Sequence, residues 1–104
     1  MTPRLSSRTL QLIEALFAPD MAKEAAQWVE QECGNNLPFC DHYDEFQMER
    51  IRFAALKLSR GGVLQLLKAI DLAGIDWRDL LMSADFGSDL TAHERWAKEI
   101  LEAA

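Results

Sequence analysis

The chain has 104 residues, of which 49% are hydrophobic and 27% charged. This length fits one domain that can bury a core without disulfides or metals, because such staples become necessary only below about 40 residues. Seventeen acidic and eleven basic residues give a formal charge of −6, which argues against non-specific nucleic-acid binding, since phosphate contacts need a basic face.

The sequence offers neither a membrane segment nor an export signal. No apolar run approaches the ~18 residues that a membrane helix needs. The amino end carries early basic residues but has no unbroken apolar core before Glu14 and no convincing small-residue cleavage site, so we interpret it as folded structure. We therefore expect no membrane association and a cytoplasmic location, where thiols stay reduced.

Apolar residues at helical spacing dominate the chain, and no stretch alternates as a half-buried strand would. A first helix is capped by Ser6 or Ser7 and runs to about Phe17. A second helix begins at Pro19, which suits a first-turn position, and stops at Gly34. The Gly, Asn and Pro residues that follow indicate a loop before the next helix.

A third helix is predicted at about 45–59, with Asp44 as its cap. Its apolar side chains form a wide face and a second face on the other side of the helix. Polar residues occupy two narrow seams between these faces: Arg50 with Lys57, and Arg52 with Ser59. A helix that is apolar on two sides is usually surrounded by others, so we place it at the centre of the domain.

Gly61 and Gly62 end the third helix, and three further helices are predicted at about 63–74, 76–87 and 88–104. Asp76 supplies the cap of the fifth helix. The sequence therefore predicts an all-α fold, a compact single-domain bundle of about five to six short helices that covers residues 1–104. Helices of this length pack by ridges into grooves at mixed angles.

Cys33, Cys40 and His42 are the first candidates for chemistry. A structural zinc site needs four ligands, typically with cysteines as close pairs, and Glu32, Asp41 or Asp44 could complete these three. The six residues between the cysteines are not a standard close-pair spacing, and a free thiol on an apolar stripe behaves as a small hydrophobe. We expect inert thiols and no cofactor, with a metal-binding or thiol-dependent protein as the alternative.

No constellation of residues indicates catalysis. Cys40 and His42 could form a nucleophile and its base, with Asp41 or Asp44 to orient the base, but nothing marks an oxyanion site. The segment from Asp76 onward has the order of a helix-turn-helix reader, yet it is acidic where such a reader needs cations. We therefore expect no catalytic residue and a protein that is not an enzyme.

Two polar residues fall on apolar helix stripes. His93 lies beside Trp96 on the last helix, and we expect a core-edge histidine that donates one hydrogen bond, with a pH-sensitive contact or a ligand as alternatives. Glu32 lies in the last turn of the second helix, where the dipole disfavours an acid. We expect an ion pair with Arg50 or Arg52, with a raised pKa and acid–base work as the alternative.

The charges are segregated along the chain. Residues 30–49 contain six acids and no Lys or Arg, and residues 50–68 contain five bases and no acid. These blocks either pair internally or face outward.

The acidic block and the aromatic loop beside it favour a non-enzymatic protein–protein interaction or regulatory module, such as an adaptor or an immunity-type protein, whose partner has a basic surface. The residues predicted to contact this partner are Phe39, His42, Tyr43, Asp44, Glu45 and Glu49. Alternatively, Phe39 and Tyr43 pin the loop to the core. A homodimer through Trp96 is a further possibility.

Overall fold

The computed structural model describes residues 5–34, 45–87 and 89–103, which contain five helices and no strand. The all-α prediction is confirmed. The helices are α1 at Ser7–Leu16, α2 at Pro19–Glu32, α3 at Glu45–Ser59, α4 at Val63–Ser83 and α5 at Ala92–Ala103. The Cα radius of gyration is 12.2 Å, close to the ~13 Å expected for a compact domain of this length.

The first two helices begin where local chemistry predicts. The Ser6 side chain accepts a hydrogen bond of 3.1 Å from the Thr9 backbone N–H and caps α1, because the first amides of a helix have no partner within it. Pro19 opens α2, where its missing N–H costs nothing. Of the two serines that could cap α1, the structure therefore selects Ser6.

Helix α3 is the centre of the core, as its two apolar faces predict. The six consecutive residues 51–56 are all buried, which an amphipathic surface helix does not allow. Helices α1, α4 and α5 pack against it, α4 most extensively. The domain is therefore organised around α3.

The cations of α3 bind the carboxyl ends of other helices. Arg52 Nε donates to the Cys33 carbonyl at the end of α2, at 2.9 Å. Lys57 Nζ donates to the Ala84 carbonyl at the end of α4, at 2.8 Å. Carbonyls at helix ends lack intrahelical donors and lie at the negative end of the dipole. The cations in the polar seams of α3 therefore cap the carboxyl ends of α2 and α4.

Helix α4 combines the predicted fourth and fifth helices. Its hydrogen bonding continues past Gly74, which does not end the helix, but Asp76 has a non-helical backbone (φ −161°, ψ 109°) and introduces a kink. The Asp76 carboxylate accepts from the Arg78 backbone N–H at 3.0 Å and from its guanidinium. Asp76 therefore caps the second half of α4, as predicted, although no loop separates the halves.

We expect the Arg52→Met variant to be less stable to unfolding by about 1–3 kcal/mol, because the buried Cys33 carbonyl loses its donor while most of the side-chain volume is kept. Urea titration followed by circular dichroism measures this difference. Lys23→Met, which removes an exposed cation from α2, is the matched control and should change stability by less than about 0.5 kcal/mol. Equal stabilities of the two variants would show that the α2 end does not need its donor.

Candidate functional site

Much of the predicted partner-contact site lies outside the described residues: Phe39, His42, Tyr43 and Asp44. Cys40 lies there too, so the convergence of Cys33, Cys40 and His42 stays a prediction. The backbone of Glu45 begins α3, but its side chain is not among those described. Of the predicted contact residues, the structure therefore places the side chain of Glu49.

Cys33 is completely buried in the apolar core at the end of α2. Its backbone N–H donates to the Val29 carbonyl at 3.0 Å, and its carbonyl accepts from Arg52. A thiol that is buried away from solvent packs as a small hydrophobic group and is out of reach of reagents. This position supports the interpretation of Cys33 as a packing residue.

Glu49 joins α3 to α1. Its carboxylate accepts from the Ser6 hydroxyl at 2.8 Å and forms an ion pair with Arg8 at 3.1 Å. The side chain is only one-fifth exposed. A basic partner would therefore have to compete with two contacts that already hold this carboxylate.

His93 is buried among aromatic rings. Its ring centroid lies 5.1 Å from that of Phe46, in an edge-to-face arrangement, 5.4 Å from Phe53 and 6.3 Å from Phe86. The residue is 0% exposed, and neither ring nitrogen has a hydrogen-bond partner among the described residues. The expected single hydrogen bond is thus missing from this part of the chain. Burial lowers the pKa of the imidazole below its usual value.

Arg50 lies beside this aromatic cluster and is almost completely buried. Its guanidinium donates to Gln47 at 3.0 Å and to the Gly87 carbonyl at 2.9 Å. Burial lowers the pKa of Arg50, and the nearby Asp89 partly counteracts this. Arg50 therefore fixes the segment after α4, from which Phe86 reaches His93.

Two adjoining depressions form a groove along α3 and α4, with volumes of about 500 and 280 Å³. We name it the α3–α4 groove, and it is lined by Leu58, Ser59, Arg60, Gly61, Gly62, Gln65, Lys68, Ala69, Leu72 and Ser83. Leu58, Ala69 and Leu72 make its surface apolar, while Arg60 and Lys68 are exposed cations. No acidic residue lines it within the described part of the chain.

The shape of this groove depends on a tight turn after α3. Gly61 has a φ of +82°, and a Cβ there would collide with the Leu16 backbone carbonyl of α1, so only glycine fits. Arg60 also has a positive φ, of 50°. This left-handed turn leads directly into α4 and places Arg60 at the larger depression of the groove. Lys68 lines the smaller depression, and Leu58 and Gln65 line both.

A second groove of about 420 Å³ lies between α1 and α5. Its charged lining has both signs, with Arg8, Arg95 and Lys98 against Glu94 and Glu102. Arg8 is already paired with Glu49, and Arg95 with Asp89, whose pKa falls to about 2 chiefly through the Arg95 hydrogen bond. The charges of this groove therefore do not select a partner of one sign.

Sequence reasoning identified Arg60 and Lys68 only as members of the basic block. The five basic residues of 50–68 have two different roles in the structure. Arg50, Arg52 and Lys57 donate hydrogen bonds to backbone carbonyls inside the domain, whereas Arg60 and Lys68 are exposed. Their position in the sequence could have distinguished Arg60 and Lys68 from the other bases. They lie on either side of Gly61 and Gly62 and the start of α4, and they do not belong to the polar seams of α3. The ion pair expected between Glu32 and an arginine of α3 stays a prediction.

Comparison of the chain with protein-family models, with curated proteins and with solved structures finds no significant match. Among the described helices, none is both long and apolar enough to cross a bilayer. The fold and the site therefore define a small all-α protein with an apolar, cation-lined groove.

We expect Cys33 to be unreactive in the folded protein because its sulfur has no contact with solvent. In a Cys40→Ser variant, which leaves Cys33 as the single thiol, a thiol-specific chromophore should react at least about tenfold faster in denaturant than in buffer. The Cys33→Ser variant, which leaves Cys40, is the comparison. Rapid reaction of Cys33 in buffer would instead support the thiol-dependent alternative.

Proposed function

We propose that this protein is a non-enzymatic protein–protein interaction module that binds an acidic, partly apolar segment of another protein in the α3–α4 groove. The proposal is carried by the lining of this groove, which is apolar and includes two exposed cations, Arg60 and Lys68. No acidic residue lines the groove within the described part of the chain. We also propose a cytoplasmic location, a compartment in which cysteines stay reduced.

The lining of the groove resembles that of peptide-binding surfaces in its chemistry. Leu58 and Leu72 offer apolar area to an inserted side chain, and Gln65 and Ser83 offer polar atoms around it. Amphipathic segments bind such grooves by burying their apolar face while polar groups pair at the rim. This arrangement favours a binding role for the groove.

The charge of the groove favours an acidic partner. Arg60 and Lys68 form no ion pair among the described residues, whereas the cations Arg8, Arg78 and Arg95 are each paired with an acid. Because the whole chain carries −6, two uncommitted cations in one groove form a local field of the opposite sign. Charge complementarity of this kind speeds the association of an acidic partner and orients it in the groove.

Apolar side chains beside the groove extend the same surface. Leu64 and Ile75 are each 72% exposed on the outer side of α4, and Lys68 follows Leu64 by one turn on that helix. Single exposed apolar residues need no explanation, but these two flank a groove cation. They enlarge the area that a bound segment can cover.

The basic-surface partner predicted from residues 30–49 remains a separate proposal. It depends on Phe39, His42, Tyr43 and Asp44, and its described member Glu49 is held by Ser6 and Arg8. The two proposals differ in the sign of the charge that the partner must carry. One binding experiment therefore distinguishes them.

We expect a fluorescent peptide of about 16 residues, built from Leu and Glu at helical spacing, to bind more tightly than the same peptide with Lys in place of Glu. The Arg60→Glu/Lys68→Glu variant should weaken binding of the Glu peptide by about tenfold or more, because each reversal at a rim position changes the binding free energy by roughly 1 kcal/mol. Fluorescence anisotropy measures both affinities.

The control variant Lys23→Glu/Lys98→Glu makes the same change in net charge outside the α3–α4 groove. It should alter the affinity for the Glu peptide by less than about threefold. Equal losses of affinity for the Glu peptide in the two variants would refute the α3–α4 groove as its binding site. Tighter binding of the Lys peptide would refute the acidic-segment proposal and favour the partner with a basic surface.

A further inference from the structure

We infer that His93 makes the docking of α5 pH-sensitive: protonation of the buried imidazole releases α5 from α1 and α3 and uncovers the aromatic rings beneath it. This conformational switch is independent of the binding proposed for the α3–α4 groove. It is carried by a fully buried, titratable ring with no hydrogen-bond partner among the described residues.

The surroundings of His93 accept a neutral ring better than a charged one. Phe46, Phe53 and Phe86 approach it with centroids 5.1–6.3 Å away. A neutral imidazole packs with these rings as another aromatic group. A buried imidazolium loses its hydration, and cation–π attraction from the phenyl faces returns only part of that loss. Protonation therefore opposes the packed arrangement.

Charged groups face this pocket from each helix that encloses it. Helix α1 contributes Arg8, α3 contributes Glu49 and Arg50, and α5 contributes Glu94. The two acids favour a charged imidazole and the two cations oppose it, yet burial is the largest influence and lowers the pKa of His93. Arg8 and Glu49 largely neutralise each other through their ion pair at 3.1 Å.

Two further charges act on the pocket indirectly, through the residues that form it. Asp89, which follows Phe86 in the segment between α4 and α5, acts on Arg50. Lys57 lies 5.2 Å from the Phe86 ring centroid. Neither group touches the imidazole, so neither supplies the partner that a protonated His93 would need.

The direction of the pH effect follows from the lowered pKa. Above the unfolded value of about 6.5, the imidazole is neutral in both docked and released α5, and docking is fully stable. As the pH falls below about 6.5, the released form takes up a proton that the docked form resists. Docking therefore weakens by up to about tenfold per pH unit until the lowered pKa is reached.

Helix α5 is placed so that it can leave without disrupting α3. It is the last of the described helices, and its main contacts with other helices are to α1 and α3. Its fully buried side chains are those of His93 and Ala97, and Trp96 packs against Phe53 and Phe86 at about 6 Å. Ala92, Ile100 and Leu101 are partly buried against the core. Helices with few fully buried side chains open at a lower free-energy cost than helices at the centre of a core.

Amide hydrogen exchange at pH 7.5 and pH 5.5, corrected for intrinsic exchange rates, tests this inference. We expect the protection of α5 amides to fall by about tenfold at the lower pH, while the amides of α3 keep theirs. In the His93→Phe variant, α5 protection should not change with pH, because the phenyl ring fills the pocket and cannot take up a proton. His42→Gln, which removes the other histidine, should retain the effect.

Three results would overturn the inference. The first is pH-independent protection of α5 in the wild-type chain, and the second is a pH response of α5 in His93→Phe equal to that of the wild-type chain. The third is a loss of protection shared equally by all helices, which indicates a change in global stability without selective release. If His93→Phe fails to fold, NMR titration of the wild-type imidazole decides, since protonation of His93 in the docked state at or above pH 6.5 contradicts the switch.

Discussion

The structure depends on the hydrogen bonds that cations of one buried helix donate to the ends of other helices. Arg52 and Lys57 of α3 reach the last carbonyls of α2 and α4, and Arg50 reaches the segment that follows α4. Each bond supplies a donor to a carbonyl at or just after a helix end, and each places positive charge at the negative end of a dipole or close to it. The same side chains are long enough to contribute apolar stems to the core.

The sequence was sufficient to predict α3, because a helix with apolar residues on two sides has to be enclosed. It also predicted a cap of α1 at Ser6 or Ser7 and the capping role of Asp76, since these depend on residues within three or four positions of each other. It could not predict that α4 continues past Gly74. An isolated glycine lowers helix propensity by about 1 kcal/mol, which packing against α3 and α2 can override.

In the candidate sites, too, the sequence predicts features that depend on nearby residues and misses those that depend on residues far away in the chain. His93 could be recognised as unusual from its position on an apolar stripe. That His93 has no hydrogen-bond partner among the described residues follows from its packing against Phe46 and Phe53 of α3 and against Phe86 after α4. These residues are distant from His93 in the sequence, so spacing could not predict the packing. Arg60 and Lys68 belonged to a basic block whose other members point inward, and only the packed helices separate the two groups.

The kink at Asp76 changes the direction of the longest described helix. A straight helix of 21 residues would measure about 32 Å, almost the full 33 Å of the longest principal extent. By changing direction at Asp76, the chain keeps Leu80 and Leu81 in the core. The bend at Asp76, whose carboxylate accepts hydrogen bonds from Arg78, thus allows a 21-residue helix to follow the surface of a core that is little longer than the helix.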